Sequence, residues 1–130
     1  MRDVFPIQIY YEDTDHSGRV YHANYLKYFE RAREHLLGVD ELVRLYREEG
    51  VGFVVYKADL SFREGAQFGE RLEVRSTVQI ESDYRATFRQ EVWRPDGRLP
   101  MVEGLIQLVT VNRDHQLIRL PEHVRRLGRG

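Results

Sequence analysis

Residues 22–38 read HANYLKYFERAREHLLG. Counted from Tyr25, the residues Tyr25, Leu26, Phe29, Ala32, Arg33, Leu36 and Leu37 fall at i, i+1, i+4, i+7, i+8, i+11 and i+12, one stripe of a helix that begins near His22. Gly38 follows where a helix of this kind ends. A helix so apolar on one side must bury that side against a second layer. A shorter helix is predicted from Asp40, an acidic cap, to about Glu49, with Gly50 as its stop.

The second layer is legible on either side of the helices. Val4–Tyr11 alternates as a first strand and breaks at the turn-forming cluster that begins at Asp13. Leu72, Val74, Ser76, Val78 and Ile80 alternate with Glu73, Arg75, Thr77 and Gln79, giving one buried and one wet face. Val54, Tyr56, Ala58, Leu60 and Phe62 follow the same pattern upstream, and Ala86–Trp93 and Met101–Val111 complete the set across a Pro95-Asp96-Gly97 turn. A short helix is predicted from Pro121 to Leu127. The expected class is α+β, a single domain over residues 1–130 with an antiparallel sheet wrapped around one long central helix. Such a sheet leaves an edge strand exposed, and pairing edges in a homo-oligomer is one way to cover it.

Composition removes several functions. The formal charge of −1 supplies no field that would draw the chain to nucleic acid or to an anionic membrane, although a local arginine pocket for one phosphate stays open. With no cysteine there is no thiolate zinc site, no disulfide and no cysteine nucleophile. The first residues lack a continuous apolar segment of signal type, and no stretch reaches the roughly 20 apolar residues that span a bilayer, so a cytoplasmic protein is expected.

The chemistry is concentrated in Tyr11–Leu26, YEDTDHSGRVYHANYL, which gathers carboxylates, two imidazoles, a hydroxyl and a glycine just ahead of the long helix. A helix N-terminus offers unpaired N–H groups and about half a positive charge, which suits the oxyanion that develops during acyl transfer. A carboxylate folded back over that end would face the same carbonyl carbon, placed to attack it or to activate water. Asp15 is the candidate, with a helix cap as its structural alternative, whereas Asp13 reads as a turn carboxylate that bonds nearby N–H groups.

This segment, continued through Glu30 and Arg33, closely resembles the 4-hydroxybenzoyl-CoA thioesterase family of hotdog-fold enzymes, nearest the Tol-Pal-associated acyl-CoA thioesterase branch. The order of helix and strands extends the likeness over nearly the whole chain. The resemblance implies hydrolysis of an acyl-CoA, with Asp15 as the catalytic carboxylate and the backbone N–H of His22 polarising the thioester carbonyl. It implies no metal and no cofactor, coenzyme A being part of the substrate. It also implies a dimer, or a dimer-of-dimers tetramer, with the site shared across the dimer interface. His16, Ser17, Gly18, Tyr21 and Tyr25 are expected to line the substrate, and Arg63 to meet a CoA phosphate, with Arg85 and Arg89 as further candidates. Arg19 departs from the family pattern, in which an aliphatic residue is usual.

Other chemistries fit less well. Asp13, Asp15, His16 and His22 contain metal-ligating atoms but lack HExxH spacing, and Ser17 lacks a GxSxG elbow. A hotdog module that holds an acyl-CoA or acyl-carrier-protein thioester without hydrolysing it is the main alternative, and a hydratase on the same architecture is the next. Glu30 and Arg33, three apart on the helix, are expected to pair.

Overall fold

The computed structural model describes residues 2–129 of the chain. The first strand, β1, is Arg2–Gln8, followed by a one-turn 3-10 helix at Tyr11–Asp13. The long helix, α1, is Asn24–Leu37, and Gly38 closes it with φ +94°, its N–H bonding to Glu34 O. The expected second helix divides into α2, Val39–Arg44, and a π turn, Leu45–Glu49, that ends at left-handed Gly50. Strands β2 (Gly52–Phe62), β3 (Arg71–Ile80), β4 (Arg85–Trp93) and β5 (Val102–Val111) follow, then a two-residue strand β6 (Leu117–Ile118) and helix α3 (Glu122–Leu127).

The sheet runs β1-β3-β4-β5-β2, antiparallel throughout, with β6 joined to β5. The class is therefore α+β, as expected, but β2 does not pair with its successor. It lies at the far edge beside β5, and residues 63–70 carry the chain across to β3.

α1 packs on the inner face of this sheet. Tyr25, Tyr28, Phe29, Ala32, Arg33 and Leu37 are buried. Tyr28 was not in the expected stripe, and Leu26, which was, lies 42% exposed. Each fully buried side chain of this size contributes about 1.5–3 kcal/mol. The inward positions of β3 are Leu72, Val74, Ser76 and Val78, all buried as the alternation implies.

In β2 the expected alternation breaks. The register against β5 shifts between Val55 and Lys57, leaving Tyr56 as an extra residue. Phe53 and Val55 oppose Thr110 and Leu108, which are buried, whereas Ala58, Leu60 and Phe62 oppose Ile106, Gly104 and Val102, also buried. The bulge thus reverses the phase of the strand. Val54, expected inside, points away from the face of Val55, although at this edge strand the two are similarly exposed, 44% and 42%.

One glycine sets the distance between the layers. A Cβ on Gly104 would lie 2.7 Å from Phe29 Cε2, so the phenyl ring fits only because β5 has no side chain there. Gly104→Ala should destabilise the fold by about 1–3 kcal/mol by overpacking, read as a lower denaturant midpoint with an unchanged slope. A midpoint equal to that of the wild type would show that the helix shifts freely.

Candidate functional site

Between β1 and α1 the chain makes a compact loop held by backbone hydrogen bonds and by the side chains of Asp13 and Asp15. Ile9 N–H donates to Glu70 O (3.0 Å) and Gly69 N–H donates to Ile9 O (3.0 Å), which anchors the start of the loop to the end of the β2–β3 crossing. Asp13 is its tie-point. Its Oδ2 accepts the Tyr10 N–H at 2.7 Å, and its Oδ1 accepts Asn24 Nδ2 at 3.2 Å. Its carbonyl accepts the Tyr21 N–H at 2.9 Å. Asp13 is therefore structural, joining the loop to the first residue of α1. Tyr28 Oη is buried and has no hydrogen-bond partner among the described residues; burial first, and the Asp13 carboxylate next, push its phenol well above the usual range.

Asp15 opens a tight turn. Its N–H donates to Arg19 O (2.9 Å), its carbonyl accepts the Gly18 N–H (3.0 Å), and Gly18 adopts φ +82°, a conformation that favours glycine. The carboxylate is oriented by Ser17, whose N–H and Oγ both donate to Oδ1, at 2.8 and 2.6 Å. Oδ2 has no hydrogen-bond partner among the described residues. The two Ser17 bonds hold the Asp15 pKa below the usual aspartate value, and His22 and His16 add smaller contributions in the same direction. Asp15 is exposed and ionised at neutral pH. It does not cap α1, whose N-cap position is Ala23 with no side-chain cap bond.

At the start of α1 the turn N–H groups of Asn24, Tyr25 and Leu26 bond to Tyr21, His22 and Ala23 carbonyls. Those of His22 and Ala23 have no acceptor among the described residues. His22 is exposed, its ring packed 4.6 Å from Tyr21 and edge-on to Phe62 at 6.1 Å. The structure thus brings Asp15, Ser17, Gly18, His16, Tyr21 and His22 into one loop.

Two of the expected substrate residues have partners of their own beside this loop. Tyr25 is 2% exposed, and its hydroxyl accepts the Ala66 N–H at 3.2 Å, tying α1 to the β2–β3 crossing. Arg63 is ion-paired with Glu103 at 3.0 Å. Arg89, on β4, borders both Arg2, Arg75 and Thr77 and the group Asp59, Ser61 and Glu103. Arg19 extends over Gly65, whose missing side chain leaves room for it, and reaches the Gln67 amide oxygen at 2.8 Å once that amide is turned to accept.

Glu30 and Arg33 do not pair. Among the described residues Arg33 forms no ion pair, but turns inward and donates from Nη1 to Gln90 Oε1 at 3.0 Å. The roles of Asn24 and Gln90, and the burial of Tyr28, are not evident from the sequence. Asn24 and Tyr28 share an i, i+4 spacing that puts them on one helix face, a signal that was available. Among the described residues no group of three or more His, Asp or Glu gathers as a metal site would, and no helix is long and apolar enough to cross a membrane.

An antiparallel sheet packed on one long helix, with an acidic turn set at that helix's N-terminus, matches the family model described as the thioesterase-like superfamily over residues 10–127, and the chain belongs to that family. The resemblance read from Tyr11–Leu26 is borne out. The acyl-CoA thioesterase YbgC of Haemophilus influenzae is 36% identical over 92 residues, covering 69% of this chain and 68% of that protein. That of Helicobacter pylori is 46% identical over 72 residues, covering 55% of this chain and 53% of that protein, so the chain spans about half the length of this relative. Among solved structures, Slr0204, a 1,4-dihydroxy-2-naphthoyl-CoA thioesterase from Synechocystis, superimposes with a TM-score of 0.89 over 98% of this chain and 96% of its own at 21% identity. The shared architecture is the hotdog fold.

The Ser17 hydroxyl is one of the two donors that orient Asp15, so Ser17→Ala should raise the Asp15 pKa towards the ordinary aspartate value. Carboxyl-carbon NMR titration measures this. An unmoved titration would mean that the backbone N–H alone sets the acidity.

Proposed function

We propose that this protein hydrolyses acyl-CoA thioesters to a free acid and coenzyme A. The observation that carries the reading is the Asp15 carboxylate, with one oxygen fixed by Ser17 and the other unpartnered, in the same loop as the unpaired N–H groups of His22 and Ala23. The names of the family relatives support it.

The thioester carbonyl oxygen accepts a hydrogen bond from the His22 N–H, where the partial positive charge of the helix terminus favours the oxyanion. In one route Asp15 Oδ2 attacks the carbonyl carbon, the C–S bond breaks to release CoA thiolate, and water then cleaves the resulting anhydride. In the other, Asp15 accepts a proton from water as the water oxygen attacks, and the tetrahedral intermediate collapses with loss of the thiolate. A thiolate leaves readily, so neither route needs a strong general acid. Neither needs a metal or a cofactor, since coenzyme A arrives as part of the substrate. The depressed pKa of Asp15 keeps it ionised down to unusually low pH.

A thiol-release assay over a panel of acyl-CoAs tests the reading. Asp15→Ala and Asp15→Asn should each lower kcat by about a hundred- to ten-thousandfold while the circular dichroism spectrum and oligomeric state stay unchanged. Undiminished hydrolysis by Asp15→Ala would remove Asp15 from the mechanism. Stoichiometric binding of acyl-CoA without thiol release would instead support a non-hydrolytic thioester-binding module.

The same reading includes a homodimer joined through β2, with the site shared between protomers. Of the two sheet edges, β1 is the shorter and carries Pro6, which removes a ladder donor. β2 has 11 residues and exposes Val54, Val55 and Tyr56. An unpaired apolar edge of that length favours pairing with a second copy. Light scattering should give a dimer or a dimer of dimers for the wild type, and Val54→Lys should shift it towards smaller species. A monomeric wild type would refute the pairing.

A further inference from the structure

The core contains a buried polar chain, ending at Arg33, that the proposed hydrolysis does not use. Gln90, on the central strand β4, is fully buried. Its Nε2 donates to Ser76 Oγ on β3 at 3.0 Å and to the Phe29 carbonyl of α1 at 2.9 Å. With both amide protons engaged, Oε1 is left to accept, and it takes Arg33 Nη1 at 3.0 Å. A guanidinium has five N–H donors. Arg33 is only 7% exposed, and among the described residues that bond is its only side-chain hydrogen bond. Burial lowers its pKa, and Glu30 and Glu34 oppose this through the field alone, without ion-pair contact.

A buried cation held by a neutral amide is an expensive arrangement in a hydrophobic core. Here it borders a cavity of about 250 Å³ between the second half of α1, α2 and the start of β2. Leu37, Leu42, Val51, Phe53, Val55 and Leu108 supply apolar walls, and Arg33 supplies donors whose direction the Gln90 network fixes. Glu30 and Glu34 also border the cavity, and their charge disfavours a second carboxylate. The pattern of apolar walls with one oriented donor group is that of a site for a small amphipathic ligand.

We propose that this cavity receives the distal end of the acyl group, and that Arg33 selects acyl groups whose far end carries a hydrogen-bond-accepting oxygen. Neutral hydroxyl or carbonyl oxygens are favoured over carboxylate. The link to an acyl substrate rests on the thioesterase reading above. Arg33 lies nine residues beyond Asn24, about 13–14 Å along the helix axis from the end where the thioester is cleaved. A medium-length acyl chain is the matching size.

The test compares ω-hydroxyoctanoyl-CoA, suberyl-CoA and octanoyl-CoA as substrates of the full chain. The wild type should show kcat/KM for ω-hydroxyoctanoyl-CoA about tenfold or more above that for octanoyl-CoA, with suberyl-CoA between them. Arg33→Met should bring the ratio of the first to the last close to one, and a ratio is insensitive to partial loss of folded enzyme. Leu42→Phe, which narrows the cavity from α2 without touching Arg33, should reduce the same ratio. Equal kcat/KM values in the wild type, or a preference that survives Arg33→Met, would overturn the assignment. If no acyl-CoA is hydrolysed, the thioesterase reading fails separately. Calorimetry with free ω-hydroxyoctanoate and octanoate then decides the cavity: tighter binding of the hydroxy acid upholds it, and equal or absent binding overturns it.

Discussion

The contact between Phe29 and Gly104 sets the geometry on which the rest of the molecule depends. A phenyl ring on α1 rests on a β5 position without a side chain, which brings the helix close against the sheet. At that distance Gln90 reaches the Phe29 carbonyl and Ser76 together, and the Tyr25 hydroxyl reaches the Ala66 N–H. Each of these bonds needs the helix at a particular height and rotation. Close packing of this kind transmits position, because the interior has little free volume to absorb a shift.

The loop between β1 and α1 inherits its placement from the same helix. Asp13 ties the loop to Asn24 at the start of α1, and Ile9 and Gly69 tie it to the β2–β3 crossing. Two carboxylates two residues apart therefore do different work. Both oxygens of Asp13 are taken up by Tyr10 and Asn24, whereas Asp15 has one oxygen fixed by Ser17 and the other free. Hydrogen bonds to the ionised form account for the low pKa of Asp15. Such a carboxylate is a weak base in bulk water, so under the proposed hydrolysis its reactivity depends on being held against a polarised carbonyl.

The interior holds a second polar arrangement of a different kind. Ser76, Gln90 and Arg33 link β3, β4 and α1 through a buried amide. An apolar replacement of similar volume would be expected to pack at least as well. The network therefore points away from simple core stability and towards orientation of the guanidinium at the cavity wall.

Amino-acid order alone determined the class, the helix stripe, the alternation of β3 and the acidic turn ahead of α1, because these depend on local periodicity and turn chemistry. It also carried the family likeness, since that resides in a contiguous run. Pairing β2 with β5, the reversed phase beyond Tyr56 and the inward turn of Arg33 are different. They depend on residues such as Gln107, Gln90 and Gly104, far away in the chain, and no local pattern encodes them. Glu30 stands at the right helical spacing for Arg33, yet the buried Gln90 oxygen, brought close only by the packed sheet, takes the guanidinium instead. Tertiary packing decided these points because a hydrogen bond made within the buried core outweighs a solvent-screened surface pair.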